Sequence, residues 1–146
     1  MSGIVVSDAS LAVKWVFQER HTLEARALLI EWEREDVARF APLLFLHEIN
    51  SALLRRLRDG IITAQQADAA REHILAAVNV STEDAALTRR ALAIADSLAL
   101  RNAYDCAYLA LAEREDCEYW TGDERFWNVA KAKFPRLHWV GEVSSP

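Results

Sequence analysis

The chain has 146 residues, the length of one domain, and we predict a single domain over residues 1–146. Its 52% apolar and 27% charged residues are typical of a folded globular protein and exclude disorder as the main state. The net charge of −5 argues against a free-standing nucleic-acid binder, although an acidic site that binds a metal ion could still act on phosphate. The absence of long apolar runs and of a signal-peptide pattern predicts a cytoplasmic protein without a membrane span.

Apolar periodicity and capping residues predict short strands separated by helices. In chain order, the predicted elements are a strand at 4–6, helices at 11–17 and 22–35, a strand at 37–41, helices at 42–59, 63–77, 81–100 and 102–116, a strand at 117–120, a helix at 123–135 and a strand at 137–140. Strands that are joined through helices pair in parallel, and a parallel sheet needs helices on both faces. We therefore predict an α/β protein with three α/β/α layers and a short, mainly parallel sheet of four or five strands.

Two acidic residues directly follow predicted strands. Asp8 comes after the strand at 4–6, and Asp123 comes after the strand at 117–120. Because parallel strands end at the same edge of a sheet, we expect both carboxylates at the edge where such folds bind ligands. Each residue also has a simpler interpretation as the N-cap of the following helix, a position that Asp favours.

Two further carboxylates, Glu48 and Asp105, are embedded in strongly apolar helical sequence. Burying a lone carboxylate is costly, so each must be paired, neutralised or bound to a metal ion. Glu48 could instead lie on the helix surface and pair with His47 or a nearby arginine. Asp105 could be a first-turn acid that the helix dipole favours. These alternatives stay open for each residue taken singly.

The four carboxylates together indicate a metal site. If they converge at one edge of the sheet, they raise one another's pKa values unless a cation lies between them. Oxygen ligands of this kind suit Mg²⁺ or Mn²⁺, which can activate water and stabilise a phosphoryl transfer. The four histidines and two cysteines show no zinc-ligand spacing. The site chemistry predicted from the residues is therefore that of a hard divalent cation.

Four sequence blocks around these acids resemble the motifs of PIN-domain ribonucleases, and specifically of the VapC-type toxins of toxin–antitoxin systems. The blocks are IVVSDAS from Ile4, HEINSAL from His47, YDCAYLALA from Tyr104 and TGDERF from Thr121. They occur in the family's order and cover nearly the whole chain. One mild departure is Cys106, which stands where the family often has a small residue such as alanine.

The resemblance implies a PIN-like fold and a metal-dependent endoribonuclease that cleaves RNA phosphodiester bonds. The implied catalytic residues, which also bind Mg²⁺ or Mn²⁺, are Asp8, Glu48, Asp105 and Asp123. The implied supporting residues are Ser10, Asn50 and Thr121, with Glu124 as an additional acid. The resemblance also implies a homodimer, and a VapB-type antitoxin that joins it in a hetero-oligomer and presents a basic side chain to the acids.

Arg55 and Arg56, near the end of the helix predicted at 42–59, have two interpretations. They could complement the helix dipole, or they could contact RNA phosphates beside the metal site.

The function also has two alternatives to a toxin. One is a PIN-type nuclease with a role in RNA processing, and the other is a catalytically silent binding module whose acids are only helix caps and surface charges.

Overall fold

The computed structural model describes residues 3–144, which contain five strands and seven α-helices. The strands are β1 (Gly3–Ser7), β2 (Val37–Pro42), β3 (Asn79–Ser81), β4 (Glu118–Thr121) and β5 (Leu137–Trp139). The helices are α1 (Ala9–Val16), α2 (Thr22–Arg34), α3 (Leu44–Arg58), α4 (Ala64–Ala77), α5 (Ala85–Ser97), α6 (Tyr104–Arg114) and α7 (Glu124–Ala130). Across the described range, none of these helices combines the length and the apolarity that crossing a bilayer requires.

The five strands form one parallel sheet in the order β3-β2-β1-β4-β5. In this sheet, Val6 of β1 lies opposite Phe40 of β2 on one side and Tyr119 of β4 on the other. The register also places Ser7, the last residue of β1, opposite Trp120 near the end of β4. The predicted three-layer α/β/α fold with a parallel sheet is confirmed. The residues that follow β1 and β4 leave the sheet at the same edge, where folds of this type bind ligands.

The sequence pattern does not reveal strand β3, which has only three residues. It begins with Asn79, and Val80 is its one β-branched residue, so no alternating apolar run marks it. The strand forms because β2 offers a parallel edge, on which Phe40 pairs with Asn79. Tertiary pairing, and not local propensity, therefore accounts for the fifth strand.

Several predicted helix boundaries are wrong by a few residues. The helix predicted from 81 begins instead at Ala85, because β3 occupies the preceding residues and the Asp84 side chain caps the helix by accepting a hydrogen bond from Leu87 N. Helix α3 begins at Leu44, since Pro42 still belongs to β2. Other shifted boundaries include the start of α1 at Ala9, the end of α5 at Ser97, the start of α6 at Tyr104 and the end of α7 at Ala130.

Helix α6 lies at the centre of the hydrophobic core. Its residues Cys106–Ala112 are all buried, so the helix is covered on every side and not along one stripe. It packs against α5 and against strands β1, β2 and β4. Asp105 belongs to the first turn of this helix, so the packing of the core fixes the position of its backbone.

The segment that follows β4 passes very close to α1. A methyl group on Gly122 would lie 2.5 Å from the backbone oxygen of Ser10 and 2.9 Å from Cε of Lys14. Only glycine therefore fits at this position without a shift of the neighbouring backbone. The Gly122 N–H also donates a hydrogen bond of 2.9 Å to Ser10 Oγ, which ties α1 to the segment after β4.

We expect Gly122→Ala to lower the free energy of unfolding by about 1–3 kcal/mol, because α1 or the segment after β4 must move to admit the methyl group. Gly3→Ala is a matched control, since its methyl group would meet only Val37 Cγ2 at 3.9 Å. That variant should change stability by less than about 0.5 kcal/mol. Urea unfolding followed by tryptophan fluorescence measures both, and equal stability of the two variants would contradict the close contact.

Candidate active site

Four separate elements bring the four predicted carboxylates into electrostatic range of one another. Asp8 and Asp123 follow β1 and β4, which are neighbours in the sheet. Glu48 lies on α3, and Asp105 lies in the first turn of α6. The charges of the other three carboxylates all raise the pKa of Asp105. The structure thus brings together the acids that the sequence singled out.

Asp8 is the most deeply buried of the four, with 3% of its surface exposed. Its Oδ1 accepts hydrogen bonds from Ser10 Oγ at 2.7 Å and Leu11 N at 3.0 Å. Its Oδ2 accepts from Tyr119 Oη and Thr121 Oγ1, both at 2.6 Å. Burial outweighs these four donors and raises the pKa of Asp8 above its ordinary value. The bond from Leu11 also makes Asp8 the N-cap of α1. Asp8 is therefore both a helix cap and a member of the carboxylate cluster.

Two buried tyrosines hold the carboxylates, and the sequence analysis does not identify them. Tyr108 Oη donates to Glu48 Oε1 at 2.5 Å, as Tyr119 Oη does to Asp8. The two rings stack with their centroids 5.5 Å apart. Burial and the nearby carboxylates raise the pKa of both phenols, so both remain protonated donors. One signal was available, because Tyr108 lies three residues after Asp105 and therefore on the same side of α6.

Glu48 is half-buried and its partner is a phenol. Burial raises the pKa of Glu48, the hydrogen bond from Tyr108 lowers it, and the charge of Asp8 raises it further. Within residues 3–144, Glu48 forms no ion pair with a lysine, arginine or histidine. The alternative of a surface pair with His47 or an arginine is therefore wrong.

Asp105 is the carboxylate on which the charges of the other three act together. Burial, followed by the charges of Asp8, Glu48 and Asp123, raises its pKa to about 7. A carboxyl group with this pKa is close to half protonated at neutral pH. In the part of the chain that is described, none of the four carboxylates is paired with a lysine or arginine that would relieve the repulsion.

Asp123 caps helix α7 and is linked to Asp8 through a hydroxyl group. Its Oδ1 accepts hydrogen bonds from Arg125 N at 2.9 Å and Phe126 N at 3.2 Å, as the capping interpretation requires. Its own N–H donates to Thr121 Oγ1 at 3.0 Å, and that hydroxyl donates in turn to Asp8. Thr121 therefore connects the carboxylate of Asp8 to the backbone of Asp123.

The structure does not bring all of the predicted supporting residues to the carboxylates. Ser10 and Thr121 lie there, as their bonds to Asp8 show. Asn50 instead accepts a hydrogen bond of 3.1 Å from Arg71 of α4 and makes none with the four carboxylates. Glu124 forms an exposed ion pair of 3.1 Å with Arg20.

The two arginines near the end of α3 have different environments. Arg56 donates to Ala52 O at 2.9 Å, pairs with Glu19 at 2.9 Å and lies 4.6 Å from the ring centre of Phe17. Its guanidinium is therefore committed to contacts within the chain. Arg55 is exposed and lines two cavities, and Glu48 lines both of them as well. Of the two, Arg55 is better placed to contact a ligand.

The carboxylates fit a divalent cation in kind, although they are not assembled around one point. All four supply the oxygen ligands that Mg²⁺ and Mn²⁺ prefer. Over residues 3–144, however, no group of three or more His, Cys, Asp or Glu side chains has an arrangement that would hold a metal ion. Burial and the charges of the other three acids raise the pKa of Asp105, and a cation would relieve the repulsion among these charges. Joint binding of an ion would require the side chains to move closer together.

Comparisons with known proteins agree with this fold. The PIN domain family model matches residues 5–132 of the chain. Among solved structures, the chain is similar to PAE2754 from Pyrobaculum aerophilum, with a TM-score of 0.66, 24% identity and coverage of 97% of this chain and 94% of that one. No curated protein matches the chain.

Two further similar structures are described as assemblies. One is a toxin–antitoxin complex from Klebsiella pneumoniae, with a TM-score of 0.63, 16% identity and coverage of 92% of this chain and 95% of that one. The other is VapBC2 from Rickettsia felis bound to a DNA fragment from their promoter, with a TM-score of 0.68, 13% identity and coverage of 93% and 96%. At these identities the similarity establishes the fold alone.

We expect Asp105→Asn to stabilise the metal-free protein at pH 8 by about 1–3 kcal/mol. The pKa of Asp105 is about 7 in the folded chain, against an ordinary value of 3.8, so the folded state holds a proton that the unfolded chain has released. This group therefore leaves the free energy of unfolding unchanged below pH 4 and lowers it as the pH rises through 7. Asparagine at position 105 carries no charge at any pH. Its side chain therefore causes no such fall in the free energy of unfolding.

Urea unfolding between pH 4 and pH 8 in EDTA measures this difference. Asp68→Asn is the matched control, because Asp68 is an exposed carboxylate on α4. As a change at an exposed surface position, it should differ little in stability from wild type. A difference for Asp105→Asn that does not grow with pH would contradict the raised pKa.

Proposed function

The chain belongs to the PIN domain family, which implies a nuclease, and from this premise we propose that it is a metal-dependent endoribonuclease acting as the toxin of a toxin–antitoxin pair. The observation that carries the proposal is the coupling of four carboxylates around Asp105 without a cationic partner. Such a cluster lowers stability, so its presence is best explained by an ion that binds there.

The proposed ligands of Mg²⁺ or Mn²⁺ are Asp8, Glu48, Asp105 and Asp123. When bound, such an ion supplies a more acidic water and positive charge next to the phosphodiester. Because that water would be the nucleophile, the chain needs no serine, cysteine or histidine in that role. Asp105 would release its proton near neutral pH on joining the ligand set, since its pKa is about 7 without a cation.

The neighbours of the carboxylates act as positioning residues in this proposal. Tyr119, Thr121 and Ser10 fix both oxygens of Asp8, and Tyr108 fixes one oxygen of Glu48. These donors leave little rotational freedom to the two carboxylates. Partners of this kind orient metal ligands and tune their basicity.

The proposed partners are an RNA substrate and a VapB-type antitoxin. Two similar structures, a toxin–antitoxin complex from Klebsiella pneumoniae and VapBC2 from Rickettsia felis, support an antitoxin partner for a fold of this type. An acidic site is a suitable target for a basic side chain from such a partner. We further propose a homodimer that joins the antitoxin in a hetero-oligomer in the cytoplasm, with Arg55 as an RNA contact.

We expect Asp8→Asn to remain folded and to cleave RNA slower than wild type by a factor on the order of 100 or more, because one ligand oxygen becomes an amide. The measurement is cleavage of total RNA with Mg²⁺, with Mn²⁺ and with EDTA. Asp68→Asn, on the exposed face of α4, serves as the control and should cleave like wild type. Cleavage by Asp8→Asn at the wild-type rate would overturn the proposed site.

Two further readouts separate the proposal from its alternatives. Mn²⁺ should raise the melting temperature of wild type but raise that of Asp8→Asn less, since an ion bound to the folded state stabilises it. A wild-type protein without cleavage and without a melting shift would instead be a silent binding module. Cleavage without growth arrest on expression would favour an RNA-processing nuclease over a toxin.

We expect Tyr119→Phe to reduce cleavage at pH 7 by about 3–10-fold and to move the acidic limb of the pH–rate profile to higher pH. The phenol lowers the pKa of Asp8 by donating to its Oδ2, so its loss raises that pKa further. The ring remains to stack on Tyr108, which keeps the packing. An unchanged profile would exclude a positioning role for the phenol oxygen.

A further inference from the structure

One face of helix α3 is polar and turned away from the core. His47, Glu48, Ser51 and Arg55 recur at the spacing that places residues on one side of a helix. The opposite side supplies the buried residues of the helix, which are Phe45, Ile49, Ala52 and Leu53. The packing of the buried side therefore fixes the orientation of the polar side.

This polar face borders a cavity beside the carboxylates. The cavity has a volume of about 420 Å³, which lies within the range of about 300–1,000 Å³ for small-molecule sites. Its lining consists of Leu44, His47, Glu48, Ser51, Arg55 and Tyr104. Tyr104 opens α6 directly before Asp105 and exposes 63% of its surface. The cavity thus lies between the two helices that carry half of the carboxylate cluster.

Three of the side chains around this cavity have polar groups without a partner in the described part of the chain. Within residues 3–144, the side chains of Tyr104, His47 and Arg55 make no hydrogen bond and no ion pair. Arg56, the next residue along the chain, is by contrast bonded to Glu19. An exposed phenol ring and an unpaired guanidinium are therefore available to a ligand.

We propose, as an extension of the proposed function, that this cavity holds one unpaired base of the RNA substrate, stacked on Tyr104 and contacted at its edge by Arg55. Aromatic side chains stack on unpaired bases of any sequence. The parallel N–H donors of Arg55 match the O6 and N7 acceptors of guanine, so guanine is the preferred base. A phosphate in the same place would face the carboxylate of Glu48, which favours a neutral base.

The test measures how much one base adds to binding. The probes are two single-stranded RNA backbones of about eight nucleotides. One carries no bases, and the other carries a single central guanine. Fluorescence anisotropy in EDTA gives the affinity of each protein for each probe without cleavage. Wild type should bind the guanine probe about 10-fold more tightly than the base-free probe.

Variants test whether the gain, which is the tighter binding of the guanine probe relative to the base-free probe, arises in the cavity. Tyr104→Ala should bind the two probes alike, and Tyr104→Phe should keep the gain, because stacking needs the ring and not the hydroxyl group. A third probe, with a single central adenine on the same backbone, reports base preference. Arg55→Ala should lose the preference for guanine over adenine, whereas Arg89→Ala, a change of an exposed arginine on α5, should keep it. A gain that persists in Tyr104→Ala, or that wild type never shows, overturns the inference.

The base site and the nuclease activity can fail separately in these experiments. If wild type shows the gain but cleaves no RNA with Mg²⁺ or Mn²⁺, the proposed function fails and the base site stands. If it cleaves RNA in a way that needs Asp8 but shows no gain, the base site fails and the nuclease stands. Loss of binding to both probes by Tyr104→Ala and Tyr104→Phe alike would also overturn the base site, because stacking does not explain it.

Discussion

The burial of the Asp8 carboxylate is the constraint on which the rest of the site depends. An ionised carboxylate loses hydration when it is buried, and this penalty is offset only if its oxygens receive hydrogen bonds. The four donors come from both the start of α1 and the end of β4, so they fix these elements relative to one another. The same bonds that make the buried charge tolerable therefore set the geometry around it.

The stacked tyrosines extend this constraint to the other half of the site. Tyr119 bonds Asp8, Tyr108 bonds Glu48, and the two rings lie against each other in the core. The orientation of Glu48 on α3 is thus coupled through two phenols to that of Asp8, which directly follows the central strand. What this network leaves unsatisfied is the mutual repulsion of the acids, which together with burial raises the pKa of Asp105. This repulsion lowers the free energy of unfolding, and such a cost in stability is common at functional sites.

Much of the fold could be predicted because it depends on local patterns. Strands separated by helices require a parallel sheet, and acids after strands or inside apolar helices are unusual enough to identify. The tyrosine bonds could not be predicted, since Tyr108 and Glu48 are 60 positions apart and no periodicity links them. Asn50 was expected near the acids from family resemblance, but it lies two positions beyond Glu48 on α3 and bonds Arg71 of α4 instead.

The contact between Gly122 and Ser10 restricts which parts of the molecule can adjust when an ion binds. With no room for even a methyl group between them, α1 and the segment after β4 move as one unit. Helix α6, enclosed on every side, is similarly immobile. Helix α3 leaves its polar face open, and Tyr108 holds only one oxygen of Glu48, so the closer approach of the ligands to an ion would fall to the Glu48 side chain. Ion loading and the width of the cavity along α3 would then be thermodynamically linked, and occupancy of one would alter affinity for the other.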